Sequence, residues 1–410
     1  MKKGWIKSRL RDVATKIGSG ATPLGGETAY KSSGISLIRS LNVHDAGFRM
    51  KDLAFIDDQQ AAQLDNVIVE AGDVLLNITG ASVARCCIVL DERLPARVNQ
   101  HVSIIRPAKD RLLSRFLHYM LISPDYKSRL LGVGEAGGST RQALTKAQLQ
   151  DFLIEHPKPL PEQQRIVGIL DEAFAGLATA KANAEKNLQN ARALFESHLQ
   201  SVFTERGKGW VETTLGAEVH LLSGFPFKSA RYTNSEKDVR LLRGDNIIQG
   251  SLRWDDVKRW PASDTAEYER YRLCAGDVVL AMDRPWVKAG LKRAQILADD
   301  LPCLLVQRTS RLRGNGSLNN RFLVYLISSG AFTRHILGVQ TGIGVPHISG
   351  QQIKEFQFLK PPVKDQVHIA DALDTLATET QRLESLCQQK LAALAALKKS
   401  LLHRAFSGAL

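Results

Sequence analysis

PEQQRIVGILDEAFAGL (Pro161–Leu177) and VKDQVHIADALDTLATE (Val363–Glu379) read as uneven copies of one element. The run opened by the first closes on LQSVFTE (Leu199–Glu205), and the run opened by the second closes on LHRAFSG (Leu402–Gly408). A single offset of 203 pairs Ile166 with Ile369, Leu170 with Leu373, Asp171 with Asp374 and Phe203 with Phe406, with no gap. Apolar residues fall at Ile166, Leu170, Ala173, Leu177, Ala180, Ala184, Leu188, Ala191, Phe195 and Val202 in the first run. In the second they fall at Ile369, Leu373, Leu376, Leu383, Cys387, Leu391, Leu394, Leu397, Leu401 and Ala405. Steps of three and four dominate, the signature of a helical seam near heptad spacing. No proline occurs between Glu162 and Glu205 or between Lys364 and Leu410, so each run can be one helix. About 42 residues at 1.5 Å rise give roughly 63 Å. Such a seam needs a partner. Two helices separated by a folded domain pair most simply as an antiparallel coiled coil; the alternative is that each packs separately onto its own domain.

The repeat extends outside the helices. KGW at Lys3–Trp5 recurs at Lys208–Trp210, and AGDVLL from Ala71 recurs as AGDVVL from Ala275. Arg39 and Asn42 in IRSLNV match Arg243 and Asn246 in LRGDNI. RFLHYML from Arg115 returns as RFLVYLI from Arg321, and LGVGEAGG from Leu131 as LGVQTGIG from Leu337. The plan is domain–helix–domain–helix. Within a domain, NVIVEAGDVLLNI, RCCIVL and VSIIRP read as strands and LLSRFLHYMLIS as a helix, with KAQLQDFLIE a short strand or helix. The fold class is α+β.

The 410 residues carry a net charge of +13, which favours a polyanionic partner over a chain that is basic for solubility alone. No run of about 18 apolar residues is present, so no membrane partner is expected. MKKGWIKSRLRDVA lacks the apolar stretch of a signal peptide. Five cysteines include Cys86–Cys87 but no C-x-x-C, against a disulfide framework or zinc site, and a reduced cytoplasm is the expected compartment. NIT at Asn77 is read as a chance glycosylation match.

No catalytic or metal site is legible. GVGEAG (Gly132–Gly137) follows helical sequence, and the second copy has Gln340 and Ile343 where Gly134 and Gly137 stand, so it reads as a Gly-rich loop. A P-loop, H-E-x-x-H, G-x-S-x-G and the Asn/Asp-Pro-Pro-aromatic tetrapeptide of adenine methyltransferases are all missing. Pro124–Asp125 lacks the following Asp/Glu-x-Lys of a nuclease. What remains is polar and basic residues in loop-like positions. VNQHVSIIRP sets Asn99, Gln100 and His101 at a strand's start, and VQRTSRLR sets Gln307 and Arg308 there in the second copy. GGSTRQALT carries Ser139, Thr140 and Arg141; GIGVPHIS carries His347; DRPWVKAGLKR carries Arg284, Trp286 and Lys288. With Arg39, Asn42, Arg243 and Asn246 these form the candidate DNA-contacting set, because Asn, Gln and Arg can read base edges while Lys mostly contacts phosphate.

The whole arrangement resembles the DNA-specificity subunits of Type I restriction–modification systems. PLPEQQRIVGILD with PPVKDQVHIADALD, the two AGDV turns, VNQHVSIIRP and the terminal LLHRAFSGAL carry the resemblance, which spans the chain. It implies target-recognition domains at residues 1–157 and 207–361, spacer helices at 158–206 and 362–410, and one half of a split, asymmetric double-stranded DNA target read by each domain. The helices would set the half-site spacing and dock two methyltransferase (M) subunits, and restriction/translocase (R) subunits would join them. S-adenosylmethionine, ATP and Mg would belong to those partners, this subunit having no cofactor or activity of its own. A pseudo-twofold arrangement would match the duplex, with half-sites about 34–36 Å apart. The second helix departs from the pattern by beginning KDQ rather than EQQ. Alternatives are a protein-only coiled-coil adaptor and an internally symmetric DNA-modifying enzyme of unfamiliar motif.

Overall fold

The computed structural model describes residues 4–23, 25–135, 143–205, 207–342 and 344–410. The chain divides into two compact units, Met1–Glu185 with Gln388–Leu410, and Lys186–Cys387. Each unit therefore contains one globular body and half of each long helix.

In the first unit, strand Val102–Pro107 lies between Ala14–Ser19 and Val74–Asn77, all antiparallel, with Cys86–Ile88 at the edge. A second sheet runs in the order Ala54–Ile56, Ile35–Ile38, Ala96–Val98, Ile68–Val69, with Ala96–Val98 parallel to Ile35–Ile38. The second unit repeats both sheets. Thr309–Gly314 lies between Val219–Ser223 and Val278–Ala281, with Arg293–Gln295 and Gln249–Gly250 beyond. Val239–Leu242 pairs with Lys258–Trp260 and, in parallel, with Cys303–Leu305. The unbroken apolar runs of DVLL and DVVL arise because Val74–Asn77 and Val278–Ala281 are buried at every residue.

The repeated AGDV turns have one mechanism. Gly72 and Gly276 take φ of +84° and +88°, a conformation that suits glycine. The buried Asp73 carboxylate then accepts from Glu70 N at 2.7 Å and from the Arg106 guanidinium at 2.8 and 2.9 Å. Asp277 does the same with Cys274 N at 2.8 Å and Arg313 at 2.6 and 2.8 Å. Each turn is thereby tied to the neighbouring strand.

RFLHYML and RFLVYLI form helices Ser114–Ile122 and Asn320–Ser328. The segment expected as a Gly-rich loop is helical from Gly132 to Glu135, in the last turns of helix Pro124–Glu135, and Ala136 and Gly137 lie outside the described residues. KAQLQDFLIE holds both a helix, Lys146–Asp151, and most of a strand, Leu153–Pro157. Thr145 and Ser349 cap equivalent short helices with Gln148 and Gln352 at N3.

The long helices are Leu160–Thr204 and Val363–Ser407, 45 residues each. They are antiparallel within both units. In the first, Ile166 and Leu170 from the start of one helix share a core with Leu402, Ala405 and Phe406 from the end of the other. In the second, Phe203 and Ile369 pack on a common core, and Arg192 donates to Glu384 at 3.0 and 2.9 Å. Phe406 stacks edge-on against Phe116 at 5.3 Å, and Phe203 sits 5.3 Å from the equivalent Phe322. Pairing between helices and packing onto the globular bodies thus occur together. All the expected first-helix seam positions are buried or half-buried. In the second helix the seam runs through Leu373, Leu376, Thr380, Glu384, Cys387, Leu391 and Leu394 to Lys398. Leu383 and Leu397, expected on it, are 47% and 48% exposed. Thr380, Glu384 and Lys398 hold those places, so an apolar-only pattern followed the wrong residues. No single helix among the described residues is long and apolar enough to cross a membrane.

Leu373→Asp will destabilise the second unit by roughly 3–6 kcal/mol, through lost burial and an unpaired carboxylate. Leu383→Asp will change it by no more than about 0.5 kcal/mol, as surface substitutions do; urea midpoints compare the two. Burial holds the His118 imidazole down at about 4, with Nε2 lacking a hydrogen-bond partner. A lowered folded-state value places the stabilisation above the unfolded value, about 6.5, and removes it as pH falls toward 4. The first unit will lose about 2 kcal/mol between pH 7 and 5 from this group, a loss that His118→Phe abolishes in pH-dependent unfolding.

Candidate nucleic-acid interface

In the second unit the sheets end in loops that enclose a recess of about 340 Å³ lined by Arg243, Asp245, Asp283, Arg284, Lys292, Gln307 and Arg308, among others. Arg284 and Arg308 take positive φ, +44° and +64°, a region costly for residues with side chains and frequent at functional sites. Backbone hydrogen bonds hold both: Arg284 N donates to Pro346 O at 2.6 Å, and Met282 N donates to Arg308 O at 2.8 Å. His347 belongs to the same loop system. It exchanges backbone bonds with Thr341 at 2.9 and 2.7 Å, its ring Nε2 meets Thr341 Oγ1 at 3.2 Å, and it bridges to Asp283.

The recess mixes charges. Arg243 meets Asp245 at 3.2 Å, and Arg308 meets Asp283 at 3.6 Å. Burial lowers the Lys292 pKa, and Arg253 and Arg284 push the same way while Asp245 and Asp283 oppose them. Cations outnumber carboxylates, and an anion entering the recess would relieve their repulsion. Donors from Arg, Lys and Gln beside acceptors from Asp also match the polar edges of bases. Trp286 and Lys288 lie on the adjoining hairpin, Trp286–Val287 paired with Gly290–Leu291.

The first unit uses the equivalent place differently. A recess of about 400 Å³ is lined by Ser40, His44, Arg49, Lys51, Asp52, Ser82 and Arg85, among others. Gln100 and His101 occupy the turn between Ala96–Val98 and Val102–Pro107. The His101 ring lies 2.6 Å from Thr79 Oγ1 and 3.3 Å from Gln100 Nε2, and Thr22 Oγ1 donates to Gln100.

Four expected contacts have other duties. Asn42 and Asn246 are buried, and each holds its loop in one geometry. Asn42 Oδ1 accepts from Arg39 N at 3.0 Å while its amide donates to Arg49 O at 2.9 Å. Asn246 repeats this with Arg243 N at 3.0 Å and Arg253 O at 3.0 Å. Asn99 is buried and accepts from His101 N at 3.1 Å, fixing the turn instead of facing a ligand. Arg39 donates to Asp52 O at 2.6 Å, pairs with Glu27 at 3.1 Å and lies over the Tyr30 ring at 5.1 Å, leaving its side chain 15% exposed. Its counterpart Arg243 is 29% exposed with one carboxylate partner. Ser139, Thr140 and Arg141 lie outside the described residues. Sequence reasoning missed Arg49, Lys51, Arg85 and Lys292. Strand register equates Arg85 with Lys292, because each directly precedes the equivalent strand residues Cys86 and Arg293. Among the described residues no group of three or more His, Cys, Asp or Glu is placed to hold a metal ion.

Residues 2–188 match the family described as Type I restriction modification DNA specificity domain. The Type I restriction enzyme EcoAI specificity subunit of Escherichia coli is 35% identical over 44% of this chain and 30% of its own length. The MjaVIII specificity subunit of Methanocaldococcus jannaschii is 26% identical over 53% of this chain and 52% of its own. The aligned part thus spans about a third to a half of those two relatives. The EcoKI specificity subunit of Escherichia coli K12 is 23% identical over all of this chain and 89% of its own. A solved chain from work on complex assembly and conformational transition of the type I R-M system has a TM-score of 0.77 at 18% identity, covering 98% of this chain and 97% of itself. The HsdS subunit of Thermoanaerobacter tengcongensis has a TM-score of 0.62 at 18% identity, over 99% and 97%.

Arg39→Ala will cost about 1–3 kcal/mol of stability, through lost charged hydrogen bonds and the Tyr30 contact. Arg243→Ala will cost no more than about 0.5 kcal/mol. Equilibrium unfolding of the two variants measures the difference.

Proposed function

We propose that this chain, whose residues 2–188 match the Type I restriction modification DNA specificity domain, is a DNA-specificity subunit that reads a split, asymmetric DNA target, one half-site per unit, without catalysing a reaction. The observation that carries the reading is the pairing of one repeated scaffold with two different loop linings. Arg243, Arg284, Lys292, Gln307 and Arg308 line the second recess. Arg49, Lys51 and Arg85 serve the first, with Gln100 and His101 on a neighbouring turn. Equal scaffolds with unequal linings suit two unlike half-sites.

In this reading the helices set the spacing and dock two methyltransferase subunits. Leu194, Leu383 and Leu386 in the second unit and Leu397 in the first are large apolar side chains exposed on the helices. Such residues off the seam suit partner packing. Restriction subunits would complete the complex, and S-adenosylmethionine, ATP and Mg would be bound by the partners.

Mixing the full chain with its methylation partner will produce adenine-N6 methylation at a split motif, read by mapping modified bases, whereas the chain alone will methylate nothing. Turnover by the purified chain alone would overturn the assignment. Lys292→Ala and Arg243→Ala will separate contact types. A phosphate contact lowers affinity for every sequence and reduces the salt slope by about one. A base contact costs about 1–3 kcal/mol at one target position.

A further inference from the structure

The two copies differ by an insertion in the connection between two neighbouring strands of their main sheets. Val74 and Val278 are equivalent at an offset of 204, whereas their neighbours across the ladder, Ile88 and Gln295, are equivalent at 207. Three residues have entered the connection. In the first unit that connection is a short turn through Gly80–Ser82. In the second it is the hairpin Trp286–Val287/Gly290–Leu291, turning through Lys288 and Ala289.

The hairpin is anchored at its root and open at its tip. Pro285 and Leu291 are buried, Lys292 N donates to Pro285 O at 2.7 Å, and Gln249 Nε2 donates to Gly290 O at 3.3 Å. Trp286 and Val287 are 39% and 37% exposed, and Lys288 and Ala289 are exposed too. Arg284 and Lys292, which flank the hairpin, both line the recess. The hairpin thus carries a part-exposed indole and an exposed Lys288 beside Arg284 and Lys292 of the recess, and a two-stranded ribbon fits the DNA major groove, where apolar groups touch thymine methyls and cations reach phosphate or guanine.

Resting on the proposed function, we infer that the Trp286–Leu291 hairpin is a ribbon that enters the major groove and reads base pairs of the second unit's half-site, a device the first unit lacks. Second-half-site recognition then depends on Trp286 and Lys288, and first-half-site recognition does not.

The experiment selects bound sequences from a pool of randomised duplexes with the full-length chain and three variants: Trp286→Ala/Lys288→Ala, a hairpin shortened to the length of the first unit's turn, and Gln307→Ala, in the recess of the same unit, as a marker for the second half-site. The expected result is that the hairpin variants lose roughly tenfold or more of their discrimination at one or more positions. Those positions fall in the half-site that Gln307→Ala also weakens, and the other half-site is unchanged. Thermal unfolding checks each variant, and the double point variant, which alters only exposed side chains, decides if the shortened hairpin fails to fold. An unaltered motif, or relaxation confined to the other half-site, overturns the inference while leaving the function standing. Failure of the unmodified chain to select any sequence overturns the function itself.

Discussion

One buried amide in each unit holds its globular body to the start of a long helix. Gln163 accepts from Leu113 N at 2.9 Å and donates to Arg111 O and Pro157 O at 2.9 and 3.0 Å. Gln366 repeats the set with Asn319 N at 2.7 Å and Ser317 O and Pro361 O at 2.9 and 2.8 Å. Both side chains are fully buried, so an unmade bond would carry its whole desolvation cost. Two turns along the helix, Asp171 accepts from Arg115 at 2.7 Å and from Tyr119, and Asp374 accepts from Arg321 at 2.9 Å and from Tyr325. A polar pair of this kind fixes rotation about the helix axis, which apolar packing alone does not.

These clamps explain why PEQQR and VKDQV were legible as copies. Gln163 and Gln366 recur because a side-chain amide offers the one acceptor and two donors that these three backbone partners require. Helix limits, the AGDV turns and the strands could be read for the same reason, since each rests on local periodicity or on a residue with one structural solution. The second seam was harder. Thr380 is buried where Leu383 was expected, and helical spacing cannot separate a polar residue on the seam from an apolar one beside it.

Recurrence marks the scaffold more clearly than the interface. Arg39 with Asn42 and Arg243 with Asn246 stand out in the sequence because both copies keep them. The asparagines recur because they tie equivalent loops together. Residues that distinguish one target from another have no reason to repeat. Lys292 and Arg85 became equivalent only once strand register was known, because a three-residue insertion separates them from the nearest recognisable motif. Arg284 and Arg308 were found by residue type, but their positive φ and their convergence on one recess depend on loop conformations that no periodicity encodes.

The division of labour follows from where each unit satisfies its charges. Asp73, Asp277, Asp171 and Asp374 are paired on the scaffold, and substitution there costs folding energy. Lys292 remains partly desolvated beside Arg253 and Arg284, a local cost that Asp245 and Asp283 offset in part. Strain at Arg284 and Arg308 lies in the same loops, supported by backbone bonds to neighbouring segments instead of by the side chains themselves. Side chains lining the recess can therefore change with little effect on the clamps or the seam. A duplicated scaffold built this way lets each copy acquire its own recess lining, and the hairpin beyond Arg284 is a point where the two copies have already diverged in length.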